Sequence, residues 1–190
     1  MGTKETKQIS FRILILGDYL VGKTTVMESY IEGKFIETFV NTFIFDFKMK
    51  SIKMEDGKTI KIQIWDTSPL QRVQPLINSY LKGAHGIMLI YDVTNKKSFD
   101  YIKGRMETLR KEISKPIPIY LVGNKIDMEK ERIITKEQGK EFAKNNGLLF
   151  FECTPKKIET VNLIFKSLIK NIYENFLNFP EEEKRKNMHK

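Results

Sequence analysis

The chain has 190 residues, of which 41% are hydrophobic and 30% charged, and its formal net charge is +9 at pH 7. This length and composition predict one soluble globular domain with a substantial core. No apolar run approaches the about 20 residues of a membrane span, and no signal peptide opens the sequence. The single cysteine, Cys153, excludes an internal disulfide and is consistent with a cytoplasmic location.

The positive charge has two interpretations. An excess of 33 Lys+Arg over 24 Asp+Glu suits a polyanionic partner such as nucleic acid or an acidic membrane face. The lysines are dispersed rather than clustered, which favours a solvated surface, and we expect no nucleic-acid binding. The opening MGTKET fits the pattern for N-myristoylation at Gly2, with Thr6 correctly placed. A disordered N-terminal tail over residues 1–8 explains the same residues.

Strand and helix patterns alternate along the chain. Apolar or alternating runs predict six strands. Two of them lie within 43–66 as its two arms, and the others lie at 10–17, 86–94, 116–125 and 148–154. Asp56-Gly57 separates the two arms and predicts an antiparallel hairpin. The runs at 86–94 and 116–125 are rich in Ile and Val, as central parallel strands are.

Helical patterns lie between the strands, at 23–33, at 98–114, after Thr135, and in an apolar stripe from Val161 to Phe176. Thr135 with Gln138 forms a capping box. The pattern predicts an α/β domain over residues 9–177, with a six-stranded, mostly parallel sheet, one antiparallel hairpin strand and helices on both faces. Residues 178–190 are predicted to form a polar tail.

The first motif is GDYLVGKT, which matches G-x-x-x-x-G-K-[ST] between Gly17 and Thr24. It follows a predicted strand and opens a predicted helix, which is the context that a phosphate-binding loop requires. Backbone N–H groups and the helix N-terminus attract phosphate oxygens, and Lys23 adds a positive charge. The hydroxyl of Thr24 suits Mg²⁺.

Two further motifs end predicted strands. Asp66 closes the second arm of the hairpin, where a carboxylate can hold Mg²⁺ through a water. The sequence NKID begins at Asn124, directly after a buried strand. Its Asp127 can accept two hydrogen bonds from the N1–H and exocyclic amine of guanine, which adenine does not offer. These motifs therefore favour a guanine nucleotide with magnesium over an adenine nucleotide.

The three motifs, in this order and spacing, resemble the Ras superfamily of small GTPases, and most closely the Rab family, over about residues 9–176. The segments KIQIWDT, SYLKGAHGIMLIYDVTNKKSF and LVGNKIDM are similar to Rab segments almost word for word. The resemblance implies the P-loop small-GTPase fold and binding of GTP or GDP with Mg²⁺. It also implies an effector segment in NTFIFDFK and a last guanine-contacting segment in ECTPK.

The family pattern carries over to specific residues. It assigns nucleotide contacts to Tyr19, Leu20, Val21, Gly22, Lys23, Thr24, Thr25, Phe35, Thr42, Asn124, Lys125, Asp127, Thr154, Pro155 and Lys156. Magnesium ligands are Thr24, Thr42 and, through a water, Asp66. The aromatic triad that Rab effectors contact corresponds to Phe47, Trp65 and Tyr80.

Departures from the family cluster where hydrolysis takes place. Rab proteins commonly carry DTAGQE, whereas this chain has DTSPLQ. In the family a glycine donates its N–H to the γ-phosphate; the corresponding position here is Pro69, which has no N–H. The family glutamine that orients the attacking water corresponds to Leu70, so no catalytic residue is assigned. Gln71 follows directly and is a possible substitute, although a solvated residue in the second switch is the better explanation.

Other departures concern partners and the base. Tyr19 and Leu20 stand where Ras has small residues, and a bulky Tyr19 can hinder an arginine finger. Ile44 replaces the usual effector-segment glycine. Pro155 replaces the alanine whose N–H meets the guanine O6, so one hydrogen bond, worth roughly 1 kcal/mol net, is missing.

The leading hypothesis is a Rab-like guanine-nucleotide-binding protein, a regulator of vesicle trafficking with weak or absent hydrolysis. The first alternative is a nucleotide-insensitive interaction scaffold, because Pro69 uncouples the second switch from the γ-phosphate. The second is an ordinary hydrolase that uses Gln71 or a residue of a partner. We expect a monomer that meets effectors and an exchange factor through its switch regions.

Membrane attachment is a separate question. Rab proteins usually end in prenylated cysteines, whereas this sequence ends NMHK. The sequence leaves open a longer natural chain, no attachment, or attachment through Gly2. A peripheral location on endomembranes is expected if the natural chain carries a lipid.

Overall fold

The computed structural model describes residues 8–36, 45–70, 74–113, 115–180, 184 and 188–189. Several residues singled out from the sequence lie outside this part of the chain: Gly2, Thr6, Thr42, Ile44 and Gln71.

The fold is built on a central six-stranded sheet with the strand order β2-β3-β1-β4-β5-β6. The strands are β1 Gln8–Gly17, β2 Phe45–Lys53, β3 Thr59–Thr67, β4 Gly86–Asp92, β5 Ile119–Asn124 and β6 Leu149–Glu152. Within this path only the β2–β3 pair is antiparallel. A two-residue strand from the predicted polar tail, β7 (Met188–His189), pairs antiparallel with the beginning of β1. The predicted fold class is confirmed.

Within the described ranges, five helices cover both faces of this sheet. They are α1 Lys23–Glu32, α2 Gln74–Leu81, α3 Lys96–Glu112, α4 Lys136–Asn146 and α5 Ile158–Leu177, with a short 3-10 turn at Glu129–Glu131. Helices α1 and α5 pack on one face, and α2, α3 and α4 pack on the other. None of the helices in the described part of the chain is long and apolar enough to span a membrane.

Both faces of the central strands are buried, which explains their continuous apolar runs. Along β1, Ile13 and Ile15 belong to the cluster beneath α1 and α5, whereas Leu14 and Leu16 belong to the cluster on the opposite face. Successive side chains of a strand point to opposite faces, so a buried sheet requires apolar residues at every position.

Several bounds differ from the sequence prediction by one or two residues, and three differences have an identifiable cause. Strand β5 begins at Ile119 rather than at residue 116, because Pro116 and Pro118 have no N–H to donate. Helix α3 begins two residues before 98, where the Asn95 side chain accepts hydrogen bonds from the N–H groups of the first turn. Helix α2 was not predicted, since eight residues give too short a periodic pattern. The capping box at Thr135 is confirmed.

Two buried tyrosines provide a test of the core. The Tyr91 hydroxyl is buried without a hydrogen-bond partner among the described residues. The Tyr120 hydroxyl is hydrogen-bonded to Ser167 Oγ at 2.8 Å and to Asn171 Nδ2 at 2.7 Å.

We therefore expect Tyr91→Phe to leave the free energy of unfolding unchanged or to raise it, because an unsatisfied polar group is removed. The matched Tyr120→Phe should lower it by about 1 kcal/mol. Urea unfolding of both variants measures the difference. A larger loss in Tyr91→Phe than in Tyr120→Phe would contradict this assignment.

Candidate functional site

The phosphate-loop motif forms the turn between β1 and α1. Gly22 caps α1 with a φ of 90°, and a Cβ at this position would lie 2.5 Å from Asn124 Nδ2. A Cβ at Gly17 would lie 2.2 Å from the carbonyl oxygen of Ile90. Both glycines of the motif are therefore required by backbone conformation or by close approach of neighbouring strands.

Lys23 begins α1 with only 6% of its surface exposed. Its Nζ donates a 2.7 Å hydrogen bond to the carbonyl oxygen of Asp18. Burial lowers the pKa of Lys23, and the charges of Asp66 and Asp18 act in the opposite direction. The side chain thus folds back over the loop and places its ammonium group beside the loop backbone, where it adds to the positive potential of the helix N-terminus that favours a phosphate.

Thr24 and Asp66 meet beside this loop. Asp66 is fully buried at the end of β3, and the Thr24 hydroxyl donates a hydrogen bond to its Oδ2. A hydroxyl and a carboxylate are oxygen ligands of the type that Mg²⁺ prefers. The described residues contain no group of three or more His, Cys, Asp or Glu side chains able to hold a metal. This donor set fits a magnesium ion whose remaining ligands are phosphate oxygens and water.

The NKID segment is fastened to the phosphate loop. Asn124 Nδ2 donates a 2.8 Å hydrogen bond to the carbonyl oxygen of Val21. Lys125 adopts a left-handed φ of 66°, and its Nζ lies 2.7 Å from Asp92 Oδ2. Asp92 was not singled out from the sequence, although, like Asp66, it ends a buried strand.

The two predicted guanine loops come together. Lys156 Nζ lies 2.7 Å from Asp127 Oδ2. Burial raises the pKa of Asp127, but hydrogen bonds from Lys156 and Thr154 outweigh it and hold the pKa below its ordinary value. Thr154 and Pro155 are buried beside them, as is Cys153, whose N–H bonds the Gly123 carbonyl at 2.8 Å. The geometry presents an ionised carboxylate and an aliphatic lysine stem side by side.

Exposed apolar side chains surround the phosphate end of the site. Leu20 is 70% exposed and has a left-handed φ of 57°, which costs a residue with a Cβ about 1 kcal/mol. Tyr19, Phe35 and Leu70 are also exposed.

The N–H of Leu70 donates to Ser68 Oγ at 3.4 Å, and Pro69 has no N–H to offer. Val21 is buried, whereas Thr25 is half-buried.

The three predicted effector-contacting aromatics form one cluster. The ring centroids of Phe47 and Trp65 are 5.1 Å apart, and those of Trp65 and Tyr80 are 4.9 Å apart. The guanidinium of Arg12 lies 5.2 Å from the Trp65 centroid and 5.7 Å from that of Tyr80. Sequence reasoning missed Arg12, although a lone charge within the apolar strand SFRILILG was the available signal.

Known proteins of one family are similar to this chain over most of its length. The Ras family model matches residues 12–174. The chain is similar to Ras-related protein Rab-13 of Mesocricetus auratus, with 38% identity over 162 residues, 85% of this chain and 79% of that protein. It is also similar to Rab-10 of Diplobatis ommata, at 37% over 171 residues (90% and 85%), and to human Rab-8B, at 39% over 168 residues (88% and 81%).

The chain belongs to the Ras family and is a Rab-like small GTPase of the Ras superfamily.

The Arg12 contact predicts a spectroscopic effect. Trp65 is the single tryptophan of the chain, so its emission reports on this cluster alone. In Arg12→Met the cation that holds the rings is lost while an apolar stem is kept. We expect a red-shifted emission and an acrylamide quenching constant about twofold higher.

Arg12→Lys, which keeps a cation, should restore most of the wild-type spectrum, and Arg110→Met on the far side of α3 is the control. An unchanged spectrum in Arg12→Met would show that the rings are held by other contacts.

Proposed function

We propose that this chain is a guanine-nucleotide-binding regulator of vesicle trafficking that binds GTP or GDP with Mg²⁺ and hydrolyses GTP slowly or not at all. One observation carries the proposal. The groups that would hold a nucleotide are linked by hydrogen bonds, from Asn124 to Val21 and from Thr24 to Asp66, whereas the two positions that would serve hydrolysis are Pro69 and Leu70.

Nucleotide binding is supported by the geometry of the two loops. Lys23 and the backbone of Tyr19–Thr25 would hold the phosphates, and Thr24, Thr42 and, through a water, Asp66 would hold Mg²⁺, which supplies charge neutralisation at the phosphates. Phe35, Asn124, Lys125, Thr154, Pro155 and Lys156 would surround the base. Asp127 would accept two hydrogen bonds from guanine and so select it over adenine.

Slow hydrolysis follows from the chemistry of the replaced groups. A leucine at position 70 neither donates nor accepts a hydrogen bond, so it cannot orient the attacking water. Pro69 cannot donate a backbone N–H to the γ-phosphate. The exposed ring of Tyr19 and side chain of Leu20 would obstruct an arginine supplied by a partner.

Partner binding would use the switch regions and the aromatic cluster of Phe47, Trp65 and Tyr80. We propose that effectors contact these rings, that an exchange factor acts on the switch segments, and that the chain works as a cytoplasmic monomer, peripheral on endomembranes where it is lipidated. Aromatic side chains on a firmly supported surface are effective anchors in protein interfaces.

Pro69 supports a second candidate function, a scaffold whose partners do not distinguish GTP from GDP. Without an N–H at this position the second switch lacks one contact that reports the γ-phosphate. Equal affinity of a partner for the two nucleotide forms would favour this function, and a large difference would exclude it.

The nucleotide in freshly purified protein tests the main proposal. We expect denatured protein to release GTP, identified by chromatography, because the site binds it and does not turn it over. Pro69→Gly/Leu70→Gln should release GDP instead and hydrolyse GTP roughly tenfold faster or more in single-turnover assays.

Leu163→Gln, an exposed leucine on α5, is the control and should behave as wild type. Unassisted turnover by wild type as fast as that of the double variant would refute slow hydrolysis. Protein that neither contains nor takes up nucleotide would refute binding itself.

Base selection should be insensitive to mild acid. The lowered pKa keeps Asp127 ionised below the pH at which an ordinary aspartate protonates, so its contribution is lost only as pH falls through that lowered value. We expect the preference for GDP over ADP to be equal at pH 7.5 and pH 5. Asp127→Asn should weaken GDP binding about a hundredfold at both, and Asp100→Asn on α3 should not.

A preference that declines steadily between pH 7.5 and pH 5 would show that Asp127 titrates in this range. A GDP affinity unchanged in Asp127→Asn would remove this residue from the base site.

A further inference from the structure

A cavity of about 700 Å³ lies at the opposite end of the sheet from the phosphate loop. One wall is the last part of β2 with the hairpin turn, Lys50–Asp56, and the other is the face of α5 from Asn162 to Leu177. Tyr30 of α1 lies at its base. This volume falls within the range of about 300–1,000 Å³ that is typical of small-molecule sites. We call this cavity the α5 groove.

The lining of the α5 groove is apolar along its length. Ile169, Tyr173 and Leu177 follow one another at spacings of four residues and form a stripe along α5. Ile52 and Met54 face them from the hairpin and are only partly buried. Leu177, at the end of the stripe, is 42% exposed. The groove therefore offers a long apolar track rather than a polar pocket.

Hydrogen bonds fix both walls of the groove. The Tyr173 hydroxyl donates to Asp56 Oδ2 at 2.8 Å and joins α5 to the hairpin turn. Lys50 Nζ donates to the carbonyl oxygen of Tyr30 at 2.8 Å and lies 4.4 Å from the centroid of its ring. The track is thus pre-formed, so a ligand does not have to order it.

The charges around the groove favour an anion. Among the lining residues, Lys170 is paired with Glu174 at 3.8 Å, and Asp56 is paired with Lys58 outside the lining at 3.1 Å. The remaining charged groups of the lining are Lys50, Lys53, Lys166 and Glu55, and none of these four has an ion-pair partner within the described part of the chain. Lys50 is held against Tyr30 at the base of the groove, so Lys53 and Lys166 against Glu55 leave a net positive rim above the apolar track.

We propose that the α5 groove binds a free single-chain fatty acid, with its carboxylate between Lys53 and Lys166 and its hydrocarbon chain along Ile169, Tyr173 and Leu177. An amphiphile of this kind matches the arrangement of a cationic rim and an apolar track. The α5 groove lies at the opposite end of the sheet from the nucleotide site. The proposal therefore does not depend on which nucleotide is bound.

The test uses a fluorescent fatty acid, 11-(dansylamino)undecanoate, below its micelle concentration, with palmitate as the competitor. We expect saturable one-to-one binding to the full chain and complete displacement by palmitate. Lys53→Gln/Lys166→Gln should weaken binding at least fivefold, and Lys140→Gln/Lys144→Gln on α4 should leave it unchanged. Hexadecanol, which has no charge, should compete at least fivefold less well than palmitate.

A second pair of variants probes the apolar track on the same helix. Leu177→Glu places a carboxylate in the groove and should weaken binding at least tenfold. Leu163→Glu makes the same change at an exposed position of α5 outside the groove and should have no effect. Both sites are exposed, so both variants should fold, which thermal unfolding and nucleotide content confirm independently.

Three results would overturn the proposal. One is absence of saturable binding to wild-type protein whose nucleotide content is normal. Another is equal affinity in Leu177→Glu and Leu163→Glu. The third is failure to bind the monomeric probe combined with one of two other results. Binding to phosphatidylserine vesicles would assign the groove to a bilayer, and dimerisation that Leu177→Glu abolishes would assign it to a second copy.

Discussion

The candidate site depends on the central position of β1, which pairs in parallel with β3 on one side and with β4 on the other. This pairing sets Ile15 beside Asp66 and Gly17 beside Ile90, so the ends of three strands meet at one edge. The close approach at Gly17, where a Cβ would strike the neighbouring carbonyl, shows how tight this edge is. Residues distant in sequence become neighbours because parallel strands share the direction of their carboxyl ends.

The hydrogen bond from the Asn124 side chain to the Val21 carbonyl links the end of a further strand, β5, to this edge. It crosses from the end of β5 to the phosphate loop and leaves room only for a glycine at position 22. The base-contacting loop is therefore placed by the same geometry as the phosphate loop. The hydrogen bond joins the two loops without involving Pro69 or Leu70.

Much of the fold and part of the site could be predicted from the sequence, for identifiable reasons. Buried strands and the capping box at Thr135 produce local patterns, and the phosphate-loop motif couples residue type to backbone geometry. Helix α2 is too short to show a period. The contact of Arg12 with Trp65 joins two strands, and that of Lys125 with Asp92 joins the loop after β5 to the end of β4, so only the register of the sheet brings these residues together.

The differences from the family pattern that the resemblance implies fall into two physically distinct groups. Pro155 has no backbone N–H, so in the proposed base site it would cost one hydrogen bond, and its buried neighbour Thr154 is unaffected by that loss. Pro69 and Leu70 offer no N–H and no polar side chain in the segment after β3, where the proposal places water orientation, and Leu70 is 37% exposed.

Binding energy is distributed over many groups of a rigid frame, whereas hydrolysis requires one water to be held in one orientation. A chain can therefore lose turnover through two residues while the frame that binds the nucleotide remains intact.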